Sequence, residues 1–180
     1  MAKMFPRVKV THTGYHMDQV EDFFDDARED YEDGGQMTAA QVRAAAFDLV
    51  RGGYDPTAVD DALDRVEAAL AARERVAFIE QHGQEEWMKE VASRATVLYP
   101  RLTRPDGLRF RPPGRGKGYE RGAVDAVMVR LIDFFDSGRP LSSQDLRTVT
   151  FPAAPAARAY GEGPVDAFID RAIDILLAVE

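Results

Sequence analysis

Apolar positions recur along this chain with a helical period, and the recurrence restarts four times. After each of Tyr15, Tyr54, Tyr119 and Tyr160, apolar residues stand at the fifth, eighth, ninth, twelfth and sixteenth following positions. On an α-helix these positions share one stripe. The pattern predicts helices over about 17–32, 38–51, 56–82, 84–98, 121–136, 142–147 and 164–179. The stretch 84–98 is read from Trp87, Met88, Val91, Ala95 and Leu98 at helical spacing. Start signals agree, because Asp55-Pro56 puts a capping acid before a proline suited to the first helical position. Segments 5–10, 108–111 and 148–151 are rich in β-branched and aromatic residues and allow short extended pieces.

The four segments match at more than their apolar stripe. Gly14-Tyr15, Gly53-Tyr54, Gly118-Tyr119 and Ala159-Tyr160 align, and five residues after each tyrosine stands Val20, Val59, Val124 or Val165. An acid follows each valine: Glu21, Asp60, Asp125 and Asp166. It lies in the first turn, where the helix dipole favours it. The glycine suits a backbone turn closed to other residues. A phenylalanine precedes each tyrosine by seven to ten residues: Phe5, Phe47, Phe110 and Phe151. Thr38 and Ser142 each stand nine residues before such a phenylalanine and are placed to cap a short helix. Copies one and three lie 104 residues apart, and copies two and four 106 apart. These spacings point to duplication of a two-repeat module. The expected fold is mainly α: four turn-plus-amphipathic-helix repeats in two duplicated halves, with short β segments. The expected modules are 1–98, including the extra helix, and 99–180, able to pack as one globular unit. Pairing of repeats is expected because one short unit cannot bury its stripe alone.

The Gly-Tyr-x4-Val-Asp pattern, with its upstream phenylalanine and short helix, resembles the DivIVA domain and its short repeat form. Segments 37–70 and 141–176 carry the fuller match, and the other two copies carry its second half. The resemblance implies a cytoplasmic, non-enzymatic scaffold of bacterial cell division or polar growth that gathers protein partners at septum or pole. It also implies that two repeat helices could imitate, inside one chain, the family's parallel dimer; self-association of whole chains is a related expectation. The residues that carry the repeat are Tyr15, Val20, Tyr54, Val59, Asp60, Tyr119, Val124, Asp125, Tyr160, Val165 and Asp166. Just before each tyrosine the family places an apolar residue and a base for lipid contact. Here the pairs are His12-Thr13, Arg51-Gly52, Gly116-Lys117 and Ala157-Arg158, without a large apolar wedge. Direct contact with an anionic membrane is therefore expected to be weak. No heptad run exceeds about 27 residues, so a long coiled coil is not expected.

Composition narrows the chemistry. The 180 residues include no cysteine, which removes disulfides, thiolate zinc sites and cysteine nucleophiles. No apolar run reaches membrane-spanning length, and the first residues lack the apolar stretch of a secretory leader. Both point to the cytoplasm. Net charge is −8, but residues 1–90 carry 20 acids and 10 bases, and residues 91–180 carry 11 acids and 13 bases. The acids gather at 18–33, on the outer face of the first helix. The bases gather in a Pro- and Gly-rich segment at 99–119, where Arg101, Arg104, Arg109, Arg111, Arg115 and Lys117 are candidate partner-binding residues. This segment carries the alternative function, an adaptor for anionic lipid or nucleic acid. The acidic pI of about 5.0 argues against nucleic acid. The blander reading is an irregular inter-module loop that pairs with the acidic first helix. No phosphate-binding glycine loop, nucleophile elbow or His-Glu-x-x-His is present, so no catalytic residue and no cofactor is expected. His12 and His16 stand four apart but lack a third ligand, and no metal is expected.

Overall fold

The structure is a computed structural model that describes residues 4–180. Residues 1–3, the start of the segment read above for a leader, lie outside the described residues. The chain is mainly helical, with a few short strands in small sheets, and it divides into two compact units between Ala77 and Phe78.

In the first unit, β1 (Thr13–Tyr15) leads into α1 (Met17–Glu32), the short α2 (Ala39–Arg43), β2 (Leu49–Arg51) and α3 (Pro56–His82), whose last turn crosses the division. The helix expected over 38–51 stops at Arg43. The chain then turns, and Leu49–Arg51 pairs antiparallel with β1 in the register Gly14↔Val50. The short helix is closed as Thr38 allows: its Oγ1 accepts from the Gln41 N–H at 3.2 Å, and the Gln41 side chain accepts from the Thr38 N–H at 2.8 Å. This reciprocal pairing satisfies two donors that a bare helix start leaves open. Val20, Tyr54 and Val59 form a fully buried core against which Phe5, Tyr15, Met17, Phe24, Phe47 and Leu63 pack. Two ion pairs tie the flanks to α3. Arg43 of α2 meets the buried Glu67, and Arg73 donates to Asp30 at 3.2 Å and to the Met37 carbonyl at 3.0 Å.

In the second unit, α4 (Gln84–Thr96) and α5 (Tyr99–Leu102) precede β3 (Lys117–Glu120), α6 (Arg121–Ser137), α7 (Ser143–Arg147), β4 (Ala153–Pro155), β5 (Ala159–Tyr160) and α8 (Glu162–Leu177). The strands order β4-β3-β5, with Gly118↔Ala154 and Tyr119↔Tyr160 in antiparallel register. Ser142 and Asp145 repeat the cap of Thr38 and Gln41, with Ser142 Oγ accepting from the Asp145 N–H at 3.1 Å. The extra helix α4 belongs here and not, as expected, with the first module. Trp87 is buried, donates from Nε1 to the Ala178 carbonyl at 2.9 Å and packs its ring near Phe78.

The strands fall on the repeat tyrosines and their flanks, not on 5–10, 108–111 or 148–151. From the first of these segments Arg7 makes an isolated bridge to Tyr54. The glycines before the tyrosines also serve a different purpose from the one expected. Gly14 and Gly118 do not have positive φ. A Cβ at Gly14 would overlap the Tyr54 carbonyl oxygen, and one at Gly118 the Tyr160 carbonyl oxygen. Close approach of two backbones, not turn geometry, requires glycine there.

Candidate functional site

Each unit is built by exchange between its two repeats. In the first, the Tyr15 N–H donates to the Tyr54 carbonyl and the Tyr54 N–H to the Tyr15 carbonyl, both at 2.9 Å. The phenylalanines cross over. Phe5, which precedes Tyr15, packs its ring on Tyr54 at 5.6 Å, while Phe47, which precedes Tyr54, packs on Tyr15 at 5.5 Å. The second unit repeats this crossing, with Phe110 on Tyr160 at 5.4 Å and Phe151 on Tyr119 at 5.0 Å.

The acids cross over as well. Tyr54 donates its hydroxyl to Glu21 and Tyr15 pairs with Asp60; Tyr160 donates to Asp125 at 3.0 Å and Tyr119 pairs with Asp166. The acid after each repeat valine therefore accepts from the other repeat's tyrosine, a role beyond the dipole contribution expected of it. Burial pushes all four phenols above their usual pKa, and the neighbouring carboxylate charge adds to the shift. Burial, with Asp64 and Asp61 nearby, also holds the Asp60 carboxyl above its ordinary value, against the lowering by the Tyr15 bond. Val20, Val59, Val124 and Val165 are all 0% exposed. The repeat residues are thus the framework of each unit.

The basic segment separates into two groups. Arg109 is only 4% exposed and faces inward. Its Nη1 meets Asp125 at 2.9 Å and Asp106 at 2.6 Å, and its backbone N–H donates to the Tyr160 hydroxyl at 3.2 Å. Arg109 is therefore structural, which corrects its place among the candidate partner-binding residues. Arg101 lies over the Phe110 ring at 5.0 Å and donates to the Arg109 carbonyl, as does Arg104. Arg104, Arg111, Arg115 and Lys117 are exposed. Burial first, then the Arg104 and Arg111 charges, lower the pKa of Arg101. His12 and His16 do not converge on a third ligand; the described residues hold no group of three His, Asp or Glu placed for a metal.

A groove opens in the first unit between α1 and α3. It encloses about 500 Å³ and is lined by Met4 and Phe5, by Phe24, Ala27 and Tyr31 of α1, and by Ala62, Val66 and Ala69 of α3, with Arg28, Glu32 and Arg65 on its rim. Tyr31 is 51% exposed and Met4 is also exposed. Such a concave, mostly apolar face is the kind of surface that takes a partner side chain or helix.

No protein-family model, curated protein or solved structure matches the chain.

Sequence reasoning did not single out the groove. Its signal lay in a comparison of the halves position by position. At the places of Ala27, Arg28, Ala62 and Ala69 in the first unit, the second carries Leu131, Ile132, Phe168 and Ile175. At these four places small or charged residues stand where the second unit has large apolar ones.

Proposed function

We propose that the protein is a non-enzymatic interaction scaffold, of the kind implied by its resemblance to DivIVA-type cell-division and polar-growth proteins. The observation that carries this reading is the open apolar groove between α1 and α3, beside a helix with eight acids and one base. The buried polar groups of the repeats support it too. They are spent on each other, tyrosine to acid and arginine to acid, and leave a rigid frame with an apolar face on its outside. A scaffold needs such a frame and such a face. Among the described residues no helix is long and apolar enough to cross a membrane. In this reading a bound partner brings the chain to septum or pole.

The test is to tag the chain in its own cell, isolate what co-purifies and follow a fluorescent fusion. Specific protein partners and a focus at septum or pole are expected. A chain that purifies alone and fluoresces evenly through the cell overturns the reading. The second reading, an adaptor for anionic surfaces, rests on the mutually repelling Arg101, Arg104 and Arg111. It requires binding to anionic vesicles or oligonucleotides that weakens as salt rises. No binding at low salt removes it.

A further inference from the structure

We infer that the α1–α3 groove is the docking site for one amphipathic helix of a partner protein, with a row of large apolar anchors and a basic polar face. The inference rests on the scaffold reading above and specifies its site.

The second unit shows what covers the equivalent face. By repeat position, Phe24, Ala27 and Tyr31 correspond to Met128, Leu131 and Phe135. Ala62, Val66 and Ala69 correspond to Phe168, Ala172 and Ile175. There the face is closed by the chain's own α4–α5 segment. Tyr99 of α5 packs its ring near Phe135 at 5.9 Å. Leu98 and Arg101 line a common cavity with Phe168 and Arg171. Trp87, Val91, Ala95, Leu98 and Leu102 are all buried, one stripe at helical spacing. Under this cover Leu131 and Ala172 are 0% exposed and Ile175 is 1% exposed.

Among the described residues, the first unit has no counterpart of α4–α5 before its first repeat strand, and its face stays open. A floor made of Ala27, Ala62 and Ala69, where the second unit has leucine, phenylalanine and isoleucine, leaves room for anchors brought by the partner. Apolar helices dock in such grooves through residues spaced like Trp87, Val91, Ala95 and Leu98. Charge decides the polar face. α1 carries eight acids against Arg28, and Arg28 is already paired with Asp25 at 2.7 Å. The rim itself carries Arg28 and Arg65 against Glu32, but residues 4–77 hold 16 acids and eight bases, so an incoming helix meets a field that is negative overall, which favours Lys and Arg and repels acids.

The experiment uses the full chain and two labelled helical peptides. Both carry Trp, Leu, Leu and Leu at i, i+4, i+8 and i+11; one has Lys and the other Glu at the remaining polar places. Fluorescence anisotropy is expected to show the Lys peptide binding at least about tenfold more tightly than the Glu peptide, with affinity falling as salt rises. Ala69 and Met4 are exposed, so Ala69→Gln and Met4→Gln fill or roughen the groove without touching the core. Together they are expected to weaken the Lys peptide at least about tenfold while circular dichroism and melting stay native. Failure of both peptides to bind, equal binding of the two, or binding unchanged by the paired substitutions overturns the inference. So does sedimentation at twice the chain mass that Ala69→Gln returns to one chain, since a second copy would then be the occupant. If wild-type chain still brings down partners from its own cell after such a failure, the scaffold reading stands and the groove assignment alone falls.

Discussion

Replacing Tyr160 by phenylalanine removes one oxygen atom from the middle of the second unit. The ring is fully buried and would keep its packing on Phe110. The hydroxyl donates to Asp125 and accepts from the Arg109 N–H at 3.2 Å. A hydrogen bond to a charged group contributes about 1.5–3 kcal/mol, and a buried N–H left without a partner costs about 1–3 kcal/mol. The two overlap, so Tyr160→Phe should cost about 2–4 kcal/mol. Tyr160→Ala adds a cavity and should cost at least about 3–5 kcal/mol. Trp87 is the single tryptophan and lies in the same unit, so its fluorescence in urea reports this unit alone. With a urea slope of about 1–3 kcal/mol/M, a loss of about 3 kcal/mol moves the midpoint by about 1–3 M. Asp125→Asn weakens the same cluster, because Asp125 also pairs with Arg109 and accepts from the Gly107 N–H at 2.7 Å. The double variant should therefore lose less than the sum of the singles, with a coupling of about 1–2 kcal/mol. A stability for Tyr160→Phe within about 0.5 kcal/mol of wild type, or strict additivity with Asp125→Asn, refutes the exchange as a source of stability.

Gly118→Ala forces a methyl into the Tyr160 carbonyl and should destabilise by about 1–3 kcal/mol, whereas Gly163→Ala, with open space around its Cβ, should be neutral or stabilise by about 0.4–1 kcal/mol; equal urea midpoints for the two would contradict this. Thr38→Ala and Ser142→Ala each remove a cap and should cost about 1 kcal/mol in thermal melts, with no loss at either site as the contrary result. The four repeat tyrosines hold their protons to higher pH when folded, so the stability they add is whole below about pH 10, the unfolded value, and is lost as pH rises through the folded values. Phenolate absorbance for these residues should rise together with loss of helical circular dichroism. Ordinary titration of all of them in a chain that remains helical would contradict the assignment.

Much of this architecture could be read from the sequence because it repeats. Helices 17–32 and 56–82 run as the apolar stripe and the Asp55-Pro56 start predict. The stretch 38–51 failed for a reason visible in its own alignment: its partner, 142–147, ends after one short turn and then extends. Alanines 44–46 favour helix locally, but pairing of Leu49–Arg51 with β1 outweighs that preference. The strands on the tyrosines were hidden because two- to four-residue strands carry no period. The crossing of phenylalanines and acids was hidden more deeply. Sequence distance assigns Phe5 to Tyr15 and Glu21 to its own helix start, and only the fold brings each to Tyr54. Arg109 was misplaced for a similar reason: a run of arginines looks alike on paper, while burial selects one of them for an internal role.

The crossing explains why repeats of this kind come in pairs. A lone repeat would bury a tyrosine hydroxyl with no acceptor and leave its phenylalanine without a ring to cover, and each unpaired buried polar group costs about 1–3 kcal/mol. Two repeats cancel both deficits at once, so the pair is the smallest unit that closes. The spacings of 104 and 106 residues fit two such pairs in one chain. Once the frame is closed by residues at the first turn, the outer helix faces are free to diverge. In the second unit the face carries leucine, isoleucine and phenylalanine under a covering α4–α5. In the first unit it carries alanines and is open. The tyrosine, valine and acid positions are alike in both halves because the crossed bonds need them, while the helix faces around them differ.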